Sequence, residues 1–364
     1  MRSLIIHLKK LDWILVTCSL FLVLIGLLSI YSSSNFKGNF LNFRKQVIFL
    51  IISFFLMISL SFWDWRALRE NSRFVLILYV ICVLSLFGLF FFATAIRGTR
   101  SWYKIGLITI DPIEFTKIVL IIILAKYFSK RHIEMYRIRH IFVSSLYVLV
   151  PFLLIFFQPD LGSALLLVIL WIGILIFSGI KTRHFLTLVL LFILVATFSW
   201  LFLLKDYQKM RILNFFQPQL EPLGMGWSKT QAKIAIGSGG FFGKGILKGS
   251  QVQLGFLPEP QTDFIFSAIC EEMGLLGVGI ILILFFILIW RVIKIAFSAK
   301  NNFQRLFASG FAILLLSQIF IHIGMNLGLL PIVGISLPLV SYGGSSLINN
   351  FIAFGILQSL IVNS

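Results

Sequence analysis

ILVTCSLFLVLIGLLSIY, residues Ile14–Tyr31, runs without a single charged side chain. A helix needs about 20 apolar residues to cross the hydrocarbon core of a bilayer, so this stretch reads as a membrane span. The preceding MRSLIIHLKK is basic, as in a secretory signal, but the apolar run is long and no small-residue cleavage site follows. It is read as a retained first span. Further apolar runs centre near Phe55, Cys82, Leu120, Leu149, Val168, Leu191, Ile280, Leu315 and Phe354. The pattern predicts an all-α integral membrane protein with about ten transmembrane helices, forming one polytopic membrane domain over residues 1–364. Short connections make these helices packed neighbours. One is long, a 205–262 loop between the seventh and eighth spans.

Composition agrees. The chain is 59% hydrophobic and 12% charged, with 40 Phe residues, and its mean hydropathy is +1.02. A soluble core cannot hide that much apolar surface, whereas lipid solvates it. The net charge of +18 does not point to nucleic acid, because the basic residues are scattered between apolar runs. Membrane lipids with anionic headgroups and phosphate-bearing lipids are the expected partners. Cys18, Cys82 and Cys270 each lie inside an apolar run, with no metal or redox spacing.

Orientation follows from the basic residues. With the N-terminus inside, the inner segments hold 17 Lys and Arg, including KYFSKRHIEMYRIRH from Lys126 to His140. The outer segments hold 13, seven of them in the long loop, where the positive-inside rule loses force. Both termini are therefore expected to be cytoplasmic. Nine of the 13 acids then fall on or near the outer side, which locates the chemistry there.

Charge near an apolar span needs a reason. In GTRSWYKIGLITIDPIEFTKI (98–118), Asp111, Pro112 and Glu114 read as N-cap, N1 and N3 of the fourth span. Glu114 then either caps the helix and pairs with Lys117, or the pair faces a polar cavity and orients a phosphate or hydroxyl. Trp102 is an interfacial aromatic or a platform for a sugar. In FFQPDLGSALLL (156–167), Asp160 caps the sixth span or contacts substrate. The long loop carries Arg211, Lys233, Lys244 and Lys248, suited to anionic lipid or to a diphosphate. Its amphipathic WSKTQAKIAI is expected to lie as a short helix in the membrane interface. GSGGFFGKG is not a phosphate loop, since the spacing is wrong and Gly245 stands where Ser or Thr is required. In FLPEPQTDFIFSAICEEMG (256–274), Asp263 stands where the chain re-enters the membrane, as a helix cap, a general base or a metal ligand. Of Glu271 and Glu272, about two turns deeper, at least one must find a buried partner. GMNLGLLPIVGISLPLVSYGGSSLI (324–348) breaks helix near membrane depth, and the N–H groups beside Ser345 at the start of the tenth span either serve packing or receive a phosphate.

Taken together, GTRSW…DPIEFTK, QPDLGSAL, YQKMRI, QAKIAIGSGGFFGKG, LPEPQTDFIF with EEMGLLG, and GISLPLVSYGGSSL resemble, in order, the SEDS family of peptidoglycan glycosyltransferases (FtsW/RodA/SpoVE). The wording GSQVQLGFLPE is closer to the elongation members than to the division members. The resemblance implies polymerisation of lipid II into glycan strands at the outer face of the bacterial cytoplasmic (inner) membrane, with release of undecaprenyl diphosphate. It makes Asp263 the essential aspartate, as general base or as ligand of a divalent cation (Mg2+ or Mn2+). Glu114 and Lys117 match important polar residues of the fourth span. Trp102, Asp160, Arg211, Lys233, Glu259 and Ser345 join them as substrate-binding candidates. The family also implies a class B penicillin-binding protein transpeptidase and elongation complex proteins as partners. Four positions depart from the family pattern: Asp111 and Ile113, in Asp111-Pro112-Ile113-Glu114 where Q-P-S-E is common, Gln261 in place of a histidine, and His322 in place of an asparagine. A lipid II flippase and a non-catalytic scaffold are the competing readings. A flippase needs polar groups along its whole path, whereas these acids crowd the outer half.

Overall fold

Every apolar run in the sequence forms a helix in the computed structural model, which describes residues 2–63, 68, 70–93, 101–106, 108–130, 138–204, 206, 209, 210, 213, 215 and 225–362. A short basic helix α1 (Arg2–Lys10) precedes α2 (Trp13–Lys37), α3 (Leu41–Ser61) and α4 (Ser72–Phe92). A β-hairpin, β1 (Tyr103–Ile105) and β2 (Ile108–Ile110), leads into α5 (Pro112–Ser129), α6 (Ile138–Phe157), α7 (Leu161–Phe177) and α8 (Thr182–Phe198). Two loop helices follow, α9 (Met225–Ser238) and α10 (Ser250–Gln253), then α11 (Ile265–Ser298), α12 (Asn302–Leu327) and α13 (Gly344–Val362). Among the described residues ten helices therefore stand where ten spans were expected, and the chain is a multi-pass membrane protein. Eight are long and apolar enough to cross a bilayer by length and composition. Of the other two, α7 has 17 residues and α5 carries Glu114, Lys117 and Lys126 within 18.

Short polar side chains start the spans by accepting from otherwise orphaned backbone N–H groups. Asp12 accepts from Leu15 N at the head of α2, Asn71 from Arg73 N and Phe74 N at α4, and Asn301 from Gln304 N at α12. The hub is α5, which packs against α4, α6, α7, α12 and α13. Its consecutive residues Ile118–Ala125 are all buried. With no lipid-facing side left, its charged residues must look into protein. None of the residues of α8 is buried, so lipid has to solvate that helix.

At one end of the bundle, Asp12 N donates to Gln358 Oε1 (2.8 Å) and Gln358 Nε2 to Asp12 O (3.1 Å). Arg291 pairs with the Asp12 carboxylate at 2.6 Å. The opposite end carries the long loop and the starts of α5, α7, α11 and α13.

The loop is built into the bundle through a break in α11. Gly274 has φ 66° and ψ −164°, which no L side chain adopts comfortably. A broken helix at membrane depth leaves backbone groups that need partners. The glycine-rich segment supplies them: Lys244 N and Gly245 N donate to the carbonyls of Glu271 and Glu272 (2.9 Å each). In return, Leu275 N and Leu276 N donate to Gly240 O (3.0 Å) and Phe241 O (3.1 Å). Gly239 and Gly243 have no room for a Cβ against the carbonyls of Cys270 and Glu272. The glycines thus serve close backbone packing, in keeping with rejection of a phosphate loop.

Both deep acids are buried and both hold this segment. Glu271 pairs with Lys244 Nζ (2.8 Å) and accepts from Gln251 N (2.9 Å) and Val252 N (3.1 Å). Glu272 accepts from Ser32 Oγ of α2 and from Gln253 Nε2 (3.3 Å). Among the described residues, the hairpin is the one feature that departs from an all-helical expectation. Its Tyr103 hydroxyl donates to Ser85 O of α4 (2.6 Å), which fixes the approach to α5.

Candidate functional site

At the loop end of the bundle lies a cavity of about 330 Å³, walled by residues from well-separated segments of the chain. Trp102, Glu114, Lys117, Asp160, Asp263 and Ser345, all expected from the sequence, line it, joined by Asp111.

Local sequence explains how each arrives there. Asp111 caps α5 by accepting from Ile113 N (2.9 Å), with Pro112 at the first helical position. The capping box is only half closed, because Asp111 N donates to Ser345 Oγ (2.9 Å) and so ties α5 to the start of α13. Glu114 instead meets Lys117 one turn on, Nζ to Oε1 at 2.7 Å. Lys117 is 1% exposed, so its ammonium depends on that partner and on the carboxylates around it. Asp160 caps α7, accepting from Ser163 N (3.0 Å) and Ser163 Oγ (2.8 Å). Burial pushes Asp111 well above the usual carboxylate range; Glu114 adds to the shift and Lys117 opposes it. Burial likewise raises Asp160, against the hydrogen bonds from Ser163 and the charge of Lys117.

Asp263 is not the cap of α11. Phe264 occupies that position, without a side-chain cap bond, and Asp263 lines the cavity. Its main chain is held in register by three successive carbonyls. Gln261 O accepts from Tyr342 N (2.8 Å), Thr262 O from Ser341 Oγ (2.9 Å), and Asp263 O from Asn326 Nδ2 (2.9 Å). The turn before α13 and the end of α12 therefore set where the backbone of this carboxylate stands, the pre-organisation that a reacting group requires. His322 joins the same support: its Nδ1 meets Ile335 O (2.8 Å) in the cavity wall.

Three helices, α5, α7 and α13, begin at the cavity, each with the positive end of its dipole there. Asp111 and Asp160 answer the first two. The third starts at Gly344 with no acidic residue in its first turn, which leaves the Gly344–Ser346 end open to an anion. Among the described residues no three His, Cys, Asp or Glu side chains converge as a ready metal cage. The donor chemistry instead suits a hard cation of the magnesium type, which takes one or two carboxylates and completes its shell from water and substrate phosphates.

Two expected residues stand elsewhere. Lys233, on α9, runs beside Lys229 against Gly328, the C-cap of α12. Its charge there complements the carbonyl end of that helix rather than the cavity. Glu259 lines an adjoining cavity that shares Thr262 and Tyr342 with the first. Arg211 lies outside the described residues, as does Glu221 of the nine outer acids. The sequence reading missed Gln318, which lines the Asp263 cavity from α12 with its Oε1 buried and without a hydrogen-bond partner among the described residues. A lone amide in an apolar run was the available signal, because a buried polar group is costly unless it has a task.

Comparison with known proteins places this geometry in a family. The FtsW/RodA/SpoVE family, described as cell cycle protein, matches residues 9–364. The chain is 40% identical over 283 residues to the peptidoglycan glycosyltransferase MrdB of Escherichia coli (strain K12), covering 78% of this chain and 76% of that protein. It is 36% identical to stage V sporulation protein E of Bacillus subtilis (strain 168), across 96% of each. Among solved structures, a chain from work on the structural coordination of polymerization and crosslinking by a peptidoglycan synthase complex superposes with a TM-score of 0.84 at 30% identity, covering 97% of this chain and 98% of that one. A crystal structure of Thermus thermophilus rod shape determining protein RodA does so with 0.72 at 27% identity, over 96% of each chain.

Proposed function

The chain belongs to the FtsW/RodA/SpoVE family, and on that premise we propose that it is a peptidoglycan glycosyltransferase that polymerises lipid II at the outer face of the bacterial cytoplasmic (inner) membrane during cell elongation. The observation that carries this reading is the convergence of Trp102, Glu114, Lys117, Asp160, Asp263 and Ser345 on one cavity. Asp263 accepts the proton of the attacking sugar hydroxyl as its oxygen bonds to the anomeric carbon of the donor. The anomeric carbon–oxygen bond breaks with inversion, and the electron pair leaves with undecaprenyl diphosphate. The acid-free start of α13 at Ser345 receives the anionic leaving group, with the Lys117 ammonium as the nearby cation. A divalent cation, Mg2+ or Mn2+, held by Asp263 and substrate phosphates would add neutralisation of the leaving group. Trp102 offers an aromatic face to a sugar. The loop end is outside and both termini are cytoplasmic, in keeping with the distribution of basic residues. A class B penicillin-binding protein transpeptidase and other elongation complex proteins are the proposed partners.

Transport of the same lipid is the weaker reading. Below Lys117, helix α5 offers only buried apolar side chains from Ile118 to Ala125, in place of a polar path. The test is glycan polymerisation from purified lipid II by the protein reconstituted with its penicillin-binding partner, wild type beside Asp263→Asn. Glycan strands from the wild type alone support both the reaction and the carboxylate. Lipid II crossing vesicle membranes with no strands from either protein would replace this reading with transport.

A further inference from the structure

One face of α12 carries a polar side chain at three successive turns, Gln318, His322 and Asn326, all of them buried. Side chains four residues apart on a helix are neighbours on its surface. Asn326 is fully employed. Its Nδ2 donates to Asp263 O and to His322 O (2.9 Å each), and its Oδ1 accepts from Ser267 Oγ (2.7 Å) and Ser267 N (3.3 Å). His322 is half employed. Its Nδ1 meets Ile335 O at 2.8 Å, and a carbonyl only accepts, so Nδ1 carries the hydrogen. In the neutral ring Nε2 is then a bare lone pair, enclosed in protein and without a partner among the described residues. One turn away, Gln318 Oε1 is a second enclosed acceptor without a donor.

Two enclosed acceptors cannot serve one another, and a buried acceptor left unmet is costly. A donor between them has two possible sources. A second proton on His322 would supply it, but would place a cation inside a span, where charge is expensive. No carboxylate pairs with His322 among the described residues to offset that cost. The other source is Gln318 itself. The two ends of an amide have the same shape, so turning the group over about its last bond keeps the packing and puts N–H where Oε1 stood. Gln318 Nε2 then donates to His322 Nε2, and Oε1 passes to the end of the side chain that lines the Asp263 cavity. Both enclosed acceptors are answered at once.

We infer that His322 is a positioning residue acting through Gln318: it fixes the amide so that a carbonyl oxygen, and not an NH2 group, faces the Asp263 cavity. A carbonyl accepts only, so what it recognises is an O–H or N–H on the uncharged part of the substrate. Ionised phosphate oxygens carry no hydrogen and are turned away from that wall. The inference rests on the glycosyltransferase reading and adds a specificity element to the same cavity.

The experiment uses the full-length protein with its penicillin-binding partner and measures KM and kcat for lipid II in Gln318→Leu, His322→Leu, the two combined, and His322→Gln. Gln318→Leu removes the carbonyl and is expected to raise KM about fivefold to tenfold, with the smaller share of the loss in kcat. His322→Leu frees the amide and should raise KM in the same direction. The combined variant should lose no more than Gln318→Leu alone, because the amide that His322 orients is already gone. His322→Gln is expected to restore KM, since a second amide gives its N–H to Ile335 O and its carbonyl to Gln318. The ring is read separately by nitrogen-15 NMR of histidine-labelled protein in nanodiscs. Its signal is found among those of the five histidines by its loss in His322→Leu. An unprotonated Nε2 is expected, with a resonance displaced in Gln318→Leu. A doubly protonated ring, or an Nε2 signal unmoved in Gln318→Leu, overturns the inference. So does an unchanged KM in Gln318→Leu, or losses that add in the combined variant. If wild type makes no strands, the glycosyltransferase reading fails while the nitrogen signal still reports on the pair, so the two failures are distinguishable.

Discussion

Lys117→Ala isolates the energetics of the cavity floor. The ammonium is 1% exposed and lies 2.7 Å from Glu114 Oε1, whose side chain is 15% exposed. Its charge also steadies Asp111 and Asp160. Removing one partner of a buried pair leaves the other charge uncompensated, at a cost of about 3–5 kcal/mol. Here one cation answers several acids, which puts the expected loss at the upper end of that range. Replacing both partners together, Glu114→Gln with Lys117→Met, removes the stranded charge and is expected to restore most of the stability. Thermal unfolding of the purified protein in detergent or nanodiscs measures the first effect, and lipid II polymerisation measures the second. The single variant should unfold far below wild type. The double variant should unfold near wild type yet polymerise poorly, because the pair also lines the Asp263 cavity. A stable Lys117→Ala protein would refute the burial argument; a fully active double variant would reduce the pair to a structural role.

Other expectations follow from the loop and the caps. Glu271→Ala removes the carboxylate that holds Lys244, Gln251 N and Val252 N. It should loosen the 239–257 segment, seen as faster limited proteolysis there, and destabilise by about 3 kcal/mol or more. Gly243→Ala forces a Cβ onto Glu272 O at a position with φ 79°. Polymerisation should fall sharply, and thermal unfolding should show a loss well above the ordinary cost of a surface substitution, about 0.5 kcal/mol. Asp160→Asn keeps a good N-cap, since Asn caps about as well as Asp, and removes a buried ionisable group. Because the folded protein raises Asp160, its contribution to stability is full at low pH and is lost as pH rises through the folded value. The variant should therefore match wild type in acid and gain on it towards neutral and alkaline pH, measured by thermal unfolding across a pH series.

Much of the architecture could be read directly from the chain because lipid imposes a single rule on a span. An apolar run such as Ile14–Tyr31 can only be a helix there, and the caps at Asp111 and Asp160 are local rules that survive folding. The site was legible where its residues sat at helix starts. What stayed hidden depended on contacts between distant segments. Lys244 and Glu271 are 27 residues apart, and nothing in the run GSGGFFGKG names the carbonyls of Glu271 and Glu272 as its partners. The break at Gly274 is hidden inside an apolar stretch that reads as one uninterrupted helix. The place of Lys233 beside the end of α12 could not be read from charge alone, since a basic residue suits a phosphate and a helix C-terminus equally well. Gln261, a departure from the family's histidine, bridges Ser34 of α2 and Asn42 of α3, a pairing visible only once those helices are in place.

The break in α11 also bears on how the protein is made. The groups that complete it, from Gly240 to Gly245, precede Gly274 in the chain. The ribosome therefore delivers the patch before the gap it covers. A helix interrupted at that depth would otherwise wait in lipid with bare carbonyls and amides. Synthesis order removes that hazard, and moving the segment behind α11 by circular permutation would expose it.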